Sequence, residues 1–127
     1  QQCLSLPPEI GRLSHLEYLG LDGNFLRELP PEIGNLTDLK ILSLSYNHLT
    51  RLPSSIGNLT NLETLWLNNN QLTELPPEIG NLKNLKELDL SGNPFNAPQQ
   101  VIDRGDWAIL EYYSTAQITG MDQFPSR

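Results

Sequence analysis

The chain has 127 residues, a formal charge of −7 and an isoelectric point near 4.6. That length holds one domain and is short for two, and the acidic balance repels the phosphates of nucleic acids and of anionic membranes alike. With Cys3 as its lone cysteine the chain makes no internal disulfide, which points to a reducing, cytoplasmic setting. No apolar run reaches the ~18 residues of a membrane span, and no signal peptide is present. The first residue is Gln1 and not Met, so a secreted parent stays open.

In chain order, residues 1–5 match the end of a repeat whose four full copies follow at a shift of 23. Leu6–Glu28 reads LPPEIGRLSHLEYLGLDGNFLRE and Leu29–Arg51 reads LPPEIGNLTDLKILSLSYNHLTR. Leu52–Glu74 reads LPSSIGNLTNLETLWLNNNQLTE and Leu75–Ala97 reads LPPEIGNLKNLKELDLSGNPFNA. Inside each copy an x-L-x-L-x core has period 2, so its leucines face one side and the x residues the other, as in a short strand. The remaining leucines, with Ile10, Ile33, Ile56 and Ile79, return the chain across the far side of a coil. Each coil then carries about seven inward apolar residues, and only stacking on a neighbour buries them. The Pro-Pro pairs at 7–8, 30–31 and 76–77 cannot donate to a ladder, so they belong on the return as irregular chain or a short 3₁₀ turn. Asn24, Asn47, Asn70 and Asn93 form a column at the strand ends, where a buried amide satisfies backbone groups that a turn leaves unpaired.

The two ends differ. Gln1 falls on the asparagine column and Cys3 on a leucine position of a copy whose strand is missing, so Cys3 reads as a small core residue. The first coil is expected to show an open apolar edge, and the chain to be part of something longer. After Phe95 the period fails at Pro98, and Val101, Ile102, Ile109, Leu110 and Tyr113 take up helical spacing. This predicts a helical cap over 98–114, with Gly105 a point where it divides in two. Residues 115–127 have no periodicity and read as a partly disordered tail or linker.

The pattern L-x-x-L-x-L-x-x-N-x-L, met from Leu16, Leu39, Leu62 and Leu85, resembles the leucine-rich-repeat family in its 23-residue form beginning L-P-x-x-I-x-x-L. The segment Gly105-Asp106-Trp107-Ala108-Ile109-Leu110-Glu111-Tyr112-Tyr113 is similar to the G-x-x-A-I-L-x-Y-L closing helix of many intracellular and bacterial members, with Tyr113 in place of the last leucine. The resemblance covers about three quarters of the chain. It implies an α/β solenoid: a curved parallel sheet on the concave face, an irregular or 3₁₀ convex side, and a helical cap. It also implies a protein-binding role, since similar repeats are the docking part of Roco GTPases, Ras-group plant proteins and deadenylase subunits.

Nothing in the chain spells out catalysis or a cofactor. His15 and His48 sit in different parts of different coils without metal-ligand spacing, and no phosphate loop, G-x-S-x-G or H-E-x-x-H occurs. Glu87 and Asp89 share a strand face, yet an open sheet gives two carboxylates no enclosure. Asn35-Leu36-Thr37 and Asn58-Leu59-Thr60 match the glycosylation pattern inside a common framework sequence.

What varies between the copies is the outward set. Its first column runs Tyr18, Ile41, Thr64, Glu87; its second Gly20, Ser43, Trp66, Asp89; its third Asp22, Ser45, Asn68, Ser91. A strand-exit column follows, Gly23, Tyr46, Asn69, Gly92, and then Phe25, His48, Gln71, Pro94. These side chains are expected to stay out of the core. Tyr18, Ile41, Tyr46 and Trp66, with Phe25 beside them, put large apolar groups on a polar face, with Asn68, Glu87 and Asp89 completing the candidate set. About 20 positions approach the ~20–30 residues per side of a standard interface. The expected function is therefore a protein-protein interaction module holding its partner on the concave sheet, with a small-molecule ligand not expected. A secreted adhesin or effector domain, and the repeat arm of a multidomain GTPase or deadenylase, are the alternatives.

Overall fold

The structure is a computed structural model and describes residues 5–116. Four three-residue strands, β1 (Tyr18–Gly20), β2 (Ile41–Ser43), β3 (Thr64–Trp66) and β4 (Glu87–Asp89), form one parallel sheet in the order β1-β2-β3-β4. Pairing keeps the 23-residue shift, with Leu19, Leu42, Leu65 and Leu88 side by side. Opposite the sheet run four 3₁₀ turns, Pro8–Arg12, Pro31–Asn35, Ser54–Asn58 and Pro77–Asn81. In each Pro-Pro pair the first proline is extended and the second opens the turn, where its missing N–H costs nothing.

The inward set of the second coil, Leu29, Ile33, Leu36, Leu39, Leu42, Leu44 and Leu49, is fully or almost fully buried, as is its counterpart in the third coil. A glycine lets the convex turns approach closely enough for this. A Cβ on Gly57 would lie 2.6 Å from the Glu78 carbonyl oxygen of the next turn, and one on Gly34 2.7 Å from the Ser55 carbonyl oxygen. The glycine of I-G-N-L is thus a contact point between coils as well as part of a turn.

The asparagine column is the second tie between coils. The Asn47 side-chain oxygen accepts from the Asn24 and Leu26 backbone N–H at 2.8 and 3.0 Å, and its amide donates to the Leu21 and Leu44 carbonyls, both at 3.0 Å. Asn70 accepts from Leu49 N–H and donates to the Leu44 and Leu67 carbonyls; Asn93 does the same for Leu72, Leu67 and Leu90. A convex ladder, not foreseen from the sequence, uses the column His15, Asp38, Asn61, Asn84. His15 Nδ1 meets Asp38 at 3.2 Å, and the Asn61 and Asn84 amides donate to the Thr37 and Thr60 carbonyls.

Leu16, Leu19 and Leu21 are half-buried where their equivalents in the next coil are closed off, and Leu13 is exposed. Cys3 and the rest of 1–4 lie outside the described residues.

The cap consists of two helices, α1 (Gln99–Asp103) and α2 (Asp106–Ala116), parted at Gly105, whose φ of +99° suits glycine. Ile109 and Tyr113 enter the core, with Val101 and Leu110 against it. Ile102, expected on the same face, is half-buried, and it is its neighbour Val101 that α1 packs against the core. The second helix sits where a fifth 3₁₀ turn would fall: Ser114 lies 2.6 Å from a Cβ built on Gly80, the role Ser55 has for Gly34. It runs two residues past the expected boundary at 114, so Thr115 and Ala116 are helix and not tail; 117–127 lie outside the described residues. Tyr113 explains its own departure from leucine. Its ring meets Phe95 with centroids 5.9 Å apart, and its hydroxyl donates to the Thr73 carbonyl at 3.0 Å. Burial, with Tyr112 and Glu74 nearby, pushes the phenol pKa up to about 12. Burial also raises the Asp106 carboxyl, helped by the charge of Asp89, while a hydrogen bond from the Leu90 backbone N–H pulls it down.

Candidate functional site on the concave sheet

Parallel pairing in register turns the variable columns into rows on one surface. Tyr18, Ile41, Thr64 and Glu87 lie side by side across the four strands, as do Gly20, Ser43, Trp66 and Asp89, at about 4.8 Å per step. Tyr18 folds back along its own strand: a Cβ on Gly20 would sit 2.5 Å from the phenol oxygen and 2.9 Å from Cζ. Gly20 is therefore the floor under the Tyr18 ring, which stays 58% exposed. Trp66, two strands away in the same row, is 37% exposed.

Not every outward position is a surface position. Ser43 and Ser45 are buried at 1% and 7% exposure, although their columns were expected to stay out of the interior. They are short, and their hydroxyls bond sideways to the neighbouring coils. Ser43 Oγ and the Ser45 N–H both donate to Asp22 Oδ1, at 2.6 and 3.0 Å. Ser45 Oγ donates to Asn68 Oδ1 at 2.6 Å, and the Asn68 amide to Asn69 Oδ1 at 3.2 Å. Asp22, Ser45 and Asn68 thus form one hydrogen-bonded row across the ends of three strands. In the last copy, Asp89 Oδ1 accepts from the Ser91 N–H and hydroxyl at 3.1 and 2.7 Å. Ile41 is half-buried and offers less surface than the sequence suggests.

At the strand exits the backbone turns left-handed. Gly23, Tyr46, Asn69 and Gly92 have φ of +70°, +59°, +61° and +74°. Glycine and asparagine accept this readily; a tyrosine pays roughly 1–2 kcal/mol for it. Tyr46 pays it while leaving its side chain 63% exposed. Beside it, Phe25, also left-handed at +58°, stacks on His48 with centroids 5.5 Å apart and an interplanar angle of 23°. His48 Nδ1 in turn meets Gln71 Nε2 at 3.2 Å. His48 and Gln71 stand in one outward column with Phe25 but lie outside the candidate set. The signal available was their shared column with Phe25 at the 23-residue shift.

The structure thus brings Tyr18, Ile41, Trp66, Asn68, Glu87 and Asp89 onto one face, with Tyr46 on its rim. Among the described residues no group of three or more His, Cys, Asp or Glu is placed to hold a metal ion, and no helix is long and apolar enough to cross a membrane.

Comparison with known proteins fits this geometry. No curated protein matches the chain. Among solved structures, a leucine-rich-repeat protein of Leptospira interrogans is similar at 48% identity and a TM-score of 0.72, covering 78% of this chain and 25% of its own. The plant peptide hormone receptor RGFR1, solved in complex with RGF2, is similar at 41% identity and a TM-score of 0.66, covering 70% of this chain and 15% of its own. The chain therefore spans a quarter or less of the length of these two proteins. The family model described as a leucine-rich repeat region matches residues 3–104, and with the in-phase strands, asparagine ladder and 3₁₀ returns already in view, the chain belongs to the leucine-rich-repeat family.

Proposed function

We propose that this chain is a protein-interaction module that seats its partner on the concave sheet, as the docking part of a larger protein. The observation that carries the reading is Tyr46, a large aromatic held left-handed and exposed in a column otherwise filled by glycine and asparagine. Nothing in the fold needs a ring there, and the backbone is better off without one. Tyr18 and Trp66 repeat the theme on the strands, exposed on a face of small polar residues. The similar plant receptor, seen with a bound peptide hormone, supports a peptide or protein as the partner's class, and the short span relative to both similar proteins supports a larger parent. Catalysis has no place in this reading, because Glu87 and Asp89 stand on an open sheet. A reducing compartment is its companion, resting on the single cysteine.

The test compares the wild-type chain with a Trp66→Ala/Tyr18→Ala variant as bait in an extract of the native cells, after circular dichroism has shown that the two fold alike. A partner held by the wild type and lost by the variant supports the concave sheet as the working surface. Binding that persists unchanged makes the aromatics mere surface packing, and moves the search to the convex turns.

A further inference from the structure

The charge on the concave face is one-sided. Of the twenty positions in the five outward columns, Asp22, Glu87 and Asp89 are carboxylates and none is lysine or arginine. The Glu87 carboxylate has no hydrogen bond or ion pair among the described residues, and Asp89 spends Oδ1 on Ser91, leaving Oδ2. Asp106, on the cap helix that touches β4, adds a third carboxylate to this end of the molecule. The neighbouring lysine, Lys86, reaches towards Glu63 at 4.0 Å. The β4 end of the sheet thus gathers carboxylates that make no ion pair among the described residues, next to the indole of Trp66, which is in register with Asp89. The β1–β2 end instead presents Tyr18 and Ile41.

From this we infer that the face takes an extended basic segment of its partner, with an arginine or lysine at the Trp66–Asp89–Glu87 corner and an apolar side chain against Tyr18 and Ile41. The inference rests on the concave-face reading above and adds the partner's chemistry. A guanidinium lies flat on an indole and pairs with a carboxylate beside it, and the partner's positive charge complements a chain of net charge −7. Geometry sets the spacing. From β1 to β4 are three strand steps of about 4.8 Å, or ~14 Å. An extended chain advances about 3.3 Å per residue and shows every second side chain to one face. An apolar residue over Tyr18 on β1 and a basic one beside Glu87 and Asp89 on β4 therefore stand at i and i+4, with i+2 passing between β2 and β3.

A displayed library of random heptapeptides, selected on the wild-type chain, tests this. The expected peptides carry Arg or Lys four positions from an aromatic or aliphatic residue. Synthesised, they bind at least tenfold more weakly to Glu87→Lys/Asp89→Lys and to Trp66→Ala/Tyr18→Ala. Because Asp89→Lys also removes the Ser91 bonds, Asp89→Asn, which keeps an acceptor, serves as a second variant and weakens them too. Peptides that need Trp66 and Tyr18 but lack a basic residue, or ignore the carboxylate variants, overturn the inference and leave the concave reading standing. Selection yielding no peptide sensitive to either pair overturns both.

Discussion

The asparagine column allows a prediction that ranks two identical substitutions. Asn47→Ala removes the acceptor of two backbone N–H groups, Leu26, which is buried, and Asn24, which is partly so. Asn70→Ala removes the acceptor of one, Leu49. The carbonyls on the donor side are insured in both cases. Leu44 O receives both Asn47 and Asn70, Leu21 O receives Asn24 as well as Asn47, and Leu67 O receives Asn93 as well as Asn70. Each lost donation to a carbonyl that keeps another donor costs about 0.5–1 kcal/mol, while each orphaned buried N–H costs about 1–3 kcal/mol. Asn70→Ala then destabilises by about 2–5 kcal/mol, and Asn47→Ala by about 1–2 kcal/mol more, at the low end for one N–H because Asn24 is only partly buried. Urea unfolding followed by tryptophan fluorescence and far-UV circular dichroism measures both, with coincident transitions confirming that the coils unfold together. Equal losses, or a larger loss at Asn70, would refute the account, because the single difference it relies on is the number of N–H groups left without an acceptor.

Three further outcomes follow from particular contacts. Tyr46→Asn, which puts a residue tolerant of left-handed backbone where Asn69 already sits in the next coil, raises stability by about 0.5–1 kcal/mol and weakens partner binding; a melt showing loss of stability contradicts the strain argument. Gly57→Ala drives a methyl against the Glu78 backbone and costs about 1–3 kcal/mol by thermal or urea unfolding, with no cost expected if the turns were free to part. Tyr113 is a pH probe. Its phenol pKa is raised in the folded chain, so its contribution is complete below the unfolded value of 10 and is lost as pH rises through about 12. Tyr113→Phe gives up the Thr73 bond, about 0.5–1.5 kcal/mol at pH 7, and stability measured from pH 9 to 12 falls less steeply in the variant than in the wild type.

Much of the fold was legible because it is written four times. Strand positions, the inward leucines, the convex placement of Pro-Pro and the structural role of the asparagines all follow from a period of 23 read against simple alternation. What escaped depends on neighbours the period does not name. The burial of Ser43 and Ser45 goes with hydroxyls that bond sideways to Asp22 and Asn68, and outward direction alone does not decide exposure. The Phe25–His48–Gln71 column could be listed, but not the ring stacking and hydrogen bond that join its members. The cap was anticipated as a helix with a possible break. Its register on Gly80 through Ser114, and the reach of Tyr113 back to Thr73, are tertiary facts about 34 and 40 residues apart that no local spacing contains.

The candidate site divides along the same line, and the division bears on how the face would bind. The columns could be listed from the sequence, but not which members are held still. The Asp22–Ser43–Ser45–Asn68 bonds lock the polar middle of the sheet, Gly20 seats the Tyr18 ring, and Phe25 and His48 brace each other at the rim. Side chains already fixed lose little freedom when a partner arrives, so more of each contact appears as affinity. Glu87 and the free oxygen of Asp89 are the parts left unbraced, and they are charged. A face with a rigid aromatic and polar centre and an unpaired acidic corner gains most from a ligand that supplies the missing cation at that corner. This is why the spacing of charge against apolar group, more than the area covered, should decide what this sheet selects.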